Sequence, residues 1–146
     1  MDLIEKVNQY VENQLNDYHP QQSRAPKVIH DTILGSNLFL PYEIILIDSP
    51  IVQRLRNISQ VDVAPLIFPS GNHNRFEHTL GVAVIAQKMV DAIWNRVSEE
   101  EHGVIVEMGK DYILSHVRFA AILHDCGHSA FSHLTEDVFS QCEDFK

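Results

Sequence analysis

The sequence has 146 residues, the length of a single domain with one hydrophobic core. Its 11 basic and 20 acidic residues give a formal net charge of -9, which excludes broad coating of nucleic acids or of anionic membranes. The two cysteines lack CxxC spacing, and we find neither a signal-peptide pattern nor a segment of transmembrane length. These features predict a cytoplasmic protein, or a nuclear one if the source is eukaryotic.

The first predicted element is an amphipathic helix over roughly residues 2–17, where apolar side chains recur at steps of three and four. These are Leu3, Ile4, Val7, Tyr10, Val11 and Leu15. The segment DYHPQQSRAP follows, and its two prolines are typical of a linker or an extended arm. We therefore expect an N-terminal helix and linker over 1–27 and the main domain over 28–146.

Two short helices are predicted next, in YEIILIDSP and in IVQRLRNISQ. The following residues are β-branched and broken by Pro65 and Pro69, which predicts a short extended or hairpin segment at about 61–69. The polar residues Gln53, Arg54 and Arg56 fit a solvated helix face as well as they fit a binding surface. The pattern leaves these two interpretations open.

Two long helices with apolar faces are predicted in the second half of the chain. The first runs from Asn74 to about Val97, and its predicted face is His78, Val82, Ile85, Met89 and Ile93. The predicted face of the second is Ile113, Val117, Ala120, Ala121 and His124. Gly127 is placed to end the second helix, and a final helix is predicted from Phe131.

The most informative polar residues are two histidines on these apolar faces, His78 and His124, which we expect to meet in the core. A lone histidine in such a position is more often a hydrogen-bonded core residue than a ligand. Two facing histidines beside Asp125 reverse that preference, because two nitrogens and a carboxylate suit Zn, Mn, Fe or Ni. The pattern therefore predicts a metal site.

Two segments, HNRFEHTLGV (73–82) and ILHDCGHSAFSH (122–133), resemble the signature blocks of the HD superfamily. The resemblance continues upstream through VIHDTILGSNLFL and DSPIVQRLRNISQ, in the same order, and so covers about residues 28–138. It is closest to the branch of deoxynucleoside triphosphate triphosphohydrolases. It implies an all-α HD-domain helical bundle and a metal-dependent phosphohydrolase that converts a deoxynucleotide into a deoxynucleoside and triphosphate.

The resemblance also assigns roles to individual residues. It implies that His78, His124 and Asp125 bind a divalent ion (Zn, Mn, Fe, Ni or Mg), that His128 and His133 are catalytic, and that Arg75 and Gln60 contact the substrate. Cys126, beside the His-Asp pair, is interpreted as a packing residue. The family's last metal ligand is an aspartate from a later helix, so the HD domain is expected to be incomplete at its C-terminus.

A second function from another class is compatible with the same residues. In it the chain is a non-catalytic or truncated HD module that binds a nucleotide or a partner protein and regulates it. An open cleft at Arg75 and the histidines favours the enzyme, and a covered interface favours the binding module. The expected partners are a nucleotide or another small phosphoester and, from the resemblance, further copies of the chain in a homo-oligomer.

Overall fold

The computed structural model describes residues 3–16, 18–19, 25–96, 107–129, 135 and 140–141. Five α-helices have defined bounds: α1 Leu3–Asn16, α2 Pro41–Ile47, α3 Pro50–Gln53, α4 Arg75–Arg96 and α5 Lys110–Leu123. Short 3₁₀ helices cover Arg54–Asn57 and Ala64–Leu66, and two strands, β1 Lys27–Asp31 and β2 Gly35–Phe39, form a hairpin. The predicted helical class is confirmed.

The hairpin lies earlier in the chain than predicted. Strand β1 pairs antiparallel with β2, so that Lys27 is opposite Phe39 and Asp31 is opposite Gly35. The Asp31 carboxylate accepts hydrogen bonds from the backbone N–H groups of Ile33 and Leu34, both at 2.7 Å, and these bonds lower the pKa of Asp31. Gly35, at φ +75°, takes a backbone conformation that side chains disfavour. The turn is therefore fixed by its own residues.

The prediction of an extended or hairpin segment at 61–69 is wrong. The segment consists of turns around the 3₁₀ helix Ala64–Leu66. Pro65 has no N–H to give to a strand partner, and its ring favours the start of a helical turn. The base of the loop is closed by an antiparallel bridge between Ser59 and Asn74 and by a hydrogen bond from the Arg75 N–H to the Ile58 carbonyl, 2.9 Å. This pairing fixes where α4 begins.

Helices α4 and α5 pack against each other and form the centre of the core, with α2, α3 and the hairpin around them. The buried apolar side chains are Phe39, Ile44, Ile47, Val52, Leu55, Ile58, Phe76, Leu80, Ala83, Val84, Ala121 and Ile122. The predicted face of α4 is wrong in its outer part, because Ile85, Met89 and Ile93 are 42%, 59% and 58% exposed. A second apolar stripe of α4, formed by Phe76, Leu80, Ala83 and Val84, is buried instead.

A buried ion pair between Glu43 on α2 and Arg118 on α5 lies beneath the hairpin, with both side chains nearly inaccessible. The Arg118 guanidinium donates to both Glu43 oxygens, one of them at 3.0 Å, and to Gln87 Oε1 on α4 at 2.6 Å. Glu43 also accepts the Leu40 N–H at 2.7 Å, and the guanidinium lies 4.9 Å from the centre of the Phe39 ring. One charged group thus connects three helices and β2.

The predicted N-terminal helix is confirmed as α1. Its apolar side chains are largely exposed, and the Tyr18 hydroxyl, just after it, donates to the Ile45 carbonyl at 3.2 Å. The division of the chain at residue 27 stays a prediction. Of the helix predicted from Phe131, only residues 135, 140 and 141 are described, and these are helical. Among the described residues, no helix combines the length and the apolar character needed to span a bilayer.

Candidate metal centre

The three predicted metal ligands lie together at the junction of α4 and α5. His78 is in the first turn of α4, His124 is the residue that caps the end of α5, and Asp125 follows it in a turn. One ligand atom from each lies within 4.8 Å of the others. The imidazole centroids are 5.4 Å apart at an interplanar angle of 62°. The two histidines meet as predicted, but at the surface, because their side chains are 34% and 37% exposed.

The Asp125 carboxylate is the buried centre of this arrangement. Its Oδ1 lies 3.2 Å from His124 Nε2 and 3.5 Å from His128 Nε2. Its Oδ2 lies 3.7 Å from His78 Nε2 and accepts a hydrogen bond of 2.8 Å from Arg75 Nη1. One carboxylate thus lies within 4 Å of three imidazoles and one guanidinium, and the guanidinium is its hydrogen-bonded partner.

Arg75, predicted to contact substrate, is almost fully buried behind this carboxylate. Its partner Asp125 is 50 residues away in sequence, so the pair also joins the start of α4 to the end of α5. A buried charge needs such a partner, because removing one member leaves the other without compensation. The structure places Arg75 where it orients a predicted metal ligand, and its contact with substrate stays a prediction.

The donor atoms fit a divalent transition metal. His124 Nδ1 lies 2.7 Å from the Ala121 carbonyl oxygen, and a carbonyl can only accept, so Nδ1 carries the proton. In the neutral ring, Nε2 then presents its lone pair towards Asp125 Oδ1, and two acceptors facing each other favour a cation between them. Two nitrogens and one oxygen at this spacing therefore suit Zn, Mn, Fe or Ni.

The local environment also keeps His78 available as a ligand. Burial lowers the pKa of His78 below its ordinary value, and the nearby His124 and Arg75 act in the same direction. The Asp125 carboxylate opposes this shift, but burial has the larger effect. A neutral imidazole is the form that binds a metal, so the lowered pKa favours coordination at neutral pH.

The turn that carries Asp125 is held from outside by Arg54, whose role the pattern of the sequence left open. Arg54 Nη2 donates to the backbone carbonyls of Cys126 and His128, at 2.5 and 2.7 Å. These residues are 72 and 74 positions away in the chain. No local spacing can indicate a contact over that separation, which is why sequence reasoning missed it.

Cys126 packs against the core, as predicted, and burial raises the pKa of its thiol. A thiol with a raised pKa is a poor nucleophile. We therefore expect Cys126→Ala to leave both metal content and any hydrolytic rate within about twofold of the wild type, with a loss of stability of about 1 kcal/mol from the missing packing. Metal analysis and steady-state rates measure this, and a rate reduced by a hundredfold would contradict the packing role.

The remaining predicted residues have different outcomes. His128 lies beside Asp125, as given above, whereas His133 lies outside the described residues. The Gln60 N–H donates to the His73 carbonyl at 3.1 Å, and its Oε1 is buried without a hydrogen-bond partner in the described part of the chain. Gln60 thus lies on the bridge that leads into α4, and its contact with substrate stays a prediction.

A cleft of about 790 Å³ adjoins the histidine side of the centre, between the hairpin turn and the exposed stripe of α4. The polar part of its wall includes His78 and His73 and the carboxylates of Asp31 and Glu77, whereas Met89 belongs to its apolar part. A cleft of this volume has the dimensions of a small-molecule site.

Comparison with known proteins relates this geometry to a family. The pattern of the HD domain family matches residues 75–143, which include all three predicted metal ligands. The chain is 36% identical over 138 residues to the deoxynucleoside triphosphate triphosphohydrolase SAMHD1 homolog of Dictyostelium discoideum, a match that covers 94% of the chain and 25% of the relative. It is 37% identical over 113 residues to SAMHD1 of Homo sapiens, covering 77% of the chain and 17% of the relative.

A solved structure has the same fold. The crystal structure of a hypothetical protein from Aquifex aeolicus superposes with a TM-score of 0.64 at 33% sequence identity, over 84% of this chain and 29% of that one. The chain therefore spans between 17% and 29% of the length of these three larger proteins.

Proposed function

Because this chain belongs to the HD domain family, we propose that it is a metal-dependent phosphohydrolase whose substrates are deoxynucleoside triphosphates. The observation that carries the proposal is the convergence of His78, His124 and Asp125, whose donor atoms lie within 4.8 Å of one another inside the matched region. The names of the relatives support this choice of substrate, although those proteins are much longer than the chain.

The proposed division of labour follows from the contacts of each side chain. His78, His124 and Asp125 hold the ion, which when bound supplies Lewis acidity towards a phosphoryl oxygen. Arg75 fixes the Asp125 carboxylate through the hydrogen bond at 2.8 Å. His128, whose Nε2 is 3.5 Å from Asp125 Oδ1, is close enough to the centre to move a proton to or from a reacting group.

The proposed reaction adds water across the ester bond between the deoxyribose 5′ oxygen and the α-phosphorus. The hydroxyl oxygen goes to phosphorus and a proton goes to the 5′ oxygen, so the products are deoxynucleoside and inorganic triphosphate. A triphosphate is strongly anionic, whereas the chain has a net charge of -9. Binding therefore needs local positive charge, which the metal ion supplies at the centre. The adjoining cleft supports the proposal with room for a nucleoside.

The test is an analysis of reaction products with the purified chain. The protein is stripped with a chelator, reloaded with Mn²⁺, Zn²⁺, Fe²⁺, Ni²⁺ or Mg²⁺, and incubated with each of the four deoxynucleoside triphosphates. We expect deoxynucleoside and inorganic triphosphate in equal amounts, with activity lost on chelation and restored by metal.

Two other outcomes would contradict the proposal in different ways. Release of orthophosphate and a deoxynucleoside diphosphate would overturn the proposed bond cleavage. Metal-loaded protein that retains a deoxynucleotide in equilibrium dialysis, yet releases no product from it or from a panel of phosphoesters, would establish the binding module instead.

A further inference from the structure

We propose that Arg54 is a positioning residue, which holds the backbone of the turn that carries Asp125 and His128. The expected effect of Arg54 on metal affinity rests on the proposed metal centre. Arg54 lies in the 3₁₀ helix Arg54–Asn57, outside the family match of residues 75–143. It contributes no ligand atom to the centre and acts through the peptide groups around it.

The geometry is that of a clamp on two carbonyl groups. One terminal nitrogen of Arg54, Nη2, carries two N–H bonds and donates to the carbonyls of Cys126 and His128. Hydrogen bonds from a charged donor are stronger than those between neutral groups. The clamp also has a rigid base, because Leu55, next to Arg54, and Ile58 are buried in the core.

The turn needs such a partner because α5 ends at Leu123. The carbonyl groups after a helix end have no further helical N–H to accept, and a nearby arginine is a favourable replacement. Within the turn, the Cys126 N–H bonds to the Leu123 carbonyl at 3.1 Å and the His128 N–H to the Asp125 carbonyl at 3.2 Å. The turn thus provides partners for two of its own N–H groups, while Arg54 provides a donor for two of its carbonyls.

Two arginines therefore hold Asp125 and His128 from different sides. Arg75 binds the Asp125 carboxylate itself, whereas Arg54 binds the backbone on either side of Gly127. With Arg54 removed, the turn keeps its ligands but loses the contact that fixes their direction. Losing such a supporting contact typically costs about 10- to 100-fold in metal affinity or activity.

Arg56, two residues further along, provides a matched control. Its guanidinium lies 3.6 Å from the centre of the Phe76 ring, and its Nε donates to Gln53 Oε1 at 2.7 Å. Arg54 and Arg56 are both exposed and belong to the same 3₁₀ helix. An alanine substitution at either one removes the same charge, but only that at Arg54 removes the two bonds to the turn.

The experiment compares Arg54→Ala, Arg54→Lys and Arg56→Ala with the wild type. Co²⁺ titration measures metal affinity, and the visible absorption of bound Co²⁺ reports the geometry of its ligands. We expect Co²⁺ affinity to fall about 10- to 100-fold in Arg54→Ala with an altered spectrum, and less in Arg54→Lys. Guanidinium ion, added far below denaturing concentrations, should restore part of the affinity in Arg54→Ala. Arg56→Ala should match the wild type.

A second measurement, on the metal-free protein, separates this inference from the proposed function. Amide hydrogen exchange over residues 124–128 should be faster in Arg54→Ala than in the wild type and unchanged in Arg56→Ala. This readout does not depend on metal or on hydrolysis, so it tests the clamp even if the wild type binds no metal. If Arg54→Ala does not fold, Arg54→Lys carries the comparison. Wild-type exchange over 124–128 in the folded Arg54 variants, or equal effects of Arg54→Ala and Arg56→Ala, would overturn the inference.

Discussion

Asp125→Asn is expected to abolish metal binding and to reduce hydrolysis by far more than the 10- to 100-fold typical of a lost supporting contact. The substitution keeps the shape of the side chain and removes the negative charge that faces His124, His128 and Arg75. Without that charge the predicted ion loses a ligand, and the buried guanidinium loses an ionic partner. Metal content by mass spectrometry of the native protein and steady-state rates measure both effects.

Two further variants separate loss of the metal from loss of the fold. His124→Ala changes a side chain that is 37% exposed, so it should lose metal while it keeps most of its stability. Asp91→Asn makes the same chemical change as Asp125→Asn at a surface pair, where Asp91 Oδ1 is 2.7 Å from Lys110 Nζ, and should leave metal binding unchanged. A His124→Ala protein that binds metal with wild-type affinity would show that the centre is not where we place it.

Arg118→Met is expected to lower the free energy of unfolding by about 3–5 kcal/mol, because it leaves the Glu43 carboxylate buried without its guanidinium. Domains of this size are stable by about 5–15 kcal/mol, so a large part of the total would be lost. Equilibrium unfolding in urea measures the change. In the double variant Glu43→Met/Arg118→Met no charge is left uncompensated, and we expect it to be more stable than Arg118→Met alone.

An exposed ion pair provides the comparison for this prediction. The side chains of Lys110 and Asp91 are 32% and 37% exposed. Lys110→Met breaks their contact and should lower the free energy of unfolding by no more than about 1 kcal/mol. If Arg118→Met costs no more than Lys110→Met, the buried pair does not have the structural role described above.

The residues of the centre that could be predicted from the sequence are those whose position follows from a local pattern of apolar and polar residues. His78 and His124 could be found because each lies on a strongly periodic helix, and Asp125 because it is adjacent to His124. The bounds of α4 were predicted to within a residue for the same reason, since apolar periodicity is a local property, whereas α5 ends at Leu123, four residues before the predicted end at Gly127. The meeting of α4 and α5 then followed from the need to bury their apolar faces.

Other features depend on contacts that a local pattern does not contain. On α4, Phe76, Leu80, Ala83 and Val84 compete with a second apolar stripe, and only the position of α5 decides which one is buried. Arginine is a common residue on a solvated helix face, and the partners of Arg54 in the turn are more than 70 residues away. The hairpin was missed although its turn is closed by Asp31 and Gly35, which are residue types common in turns.

The distance along the chain between Arg75 and Asp125 links the centre to folding itself. In an unfolded chain, groups 50 residues apart are rarely close. The proposed ligands have a similar separation, with His78 on α4 and His124 and Asp125 at the end of α5, so they would share an ion only after the two helices have packed. A ligand that binds the native state alone shifts the unfolding equilibrium by mass action. Metal binding at this centre would therefore raise the free energy of unfolding. The midpoint of thermal unfolding would rise with the concentration of free metal.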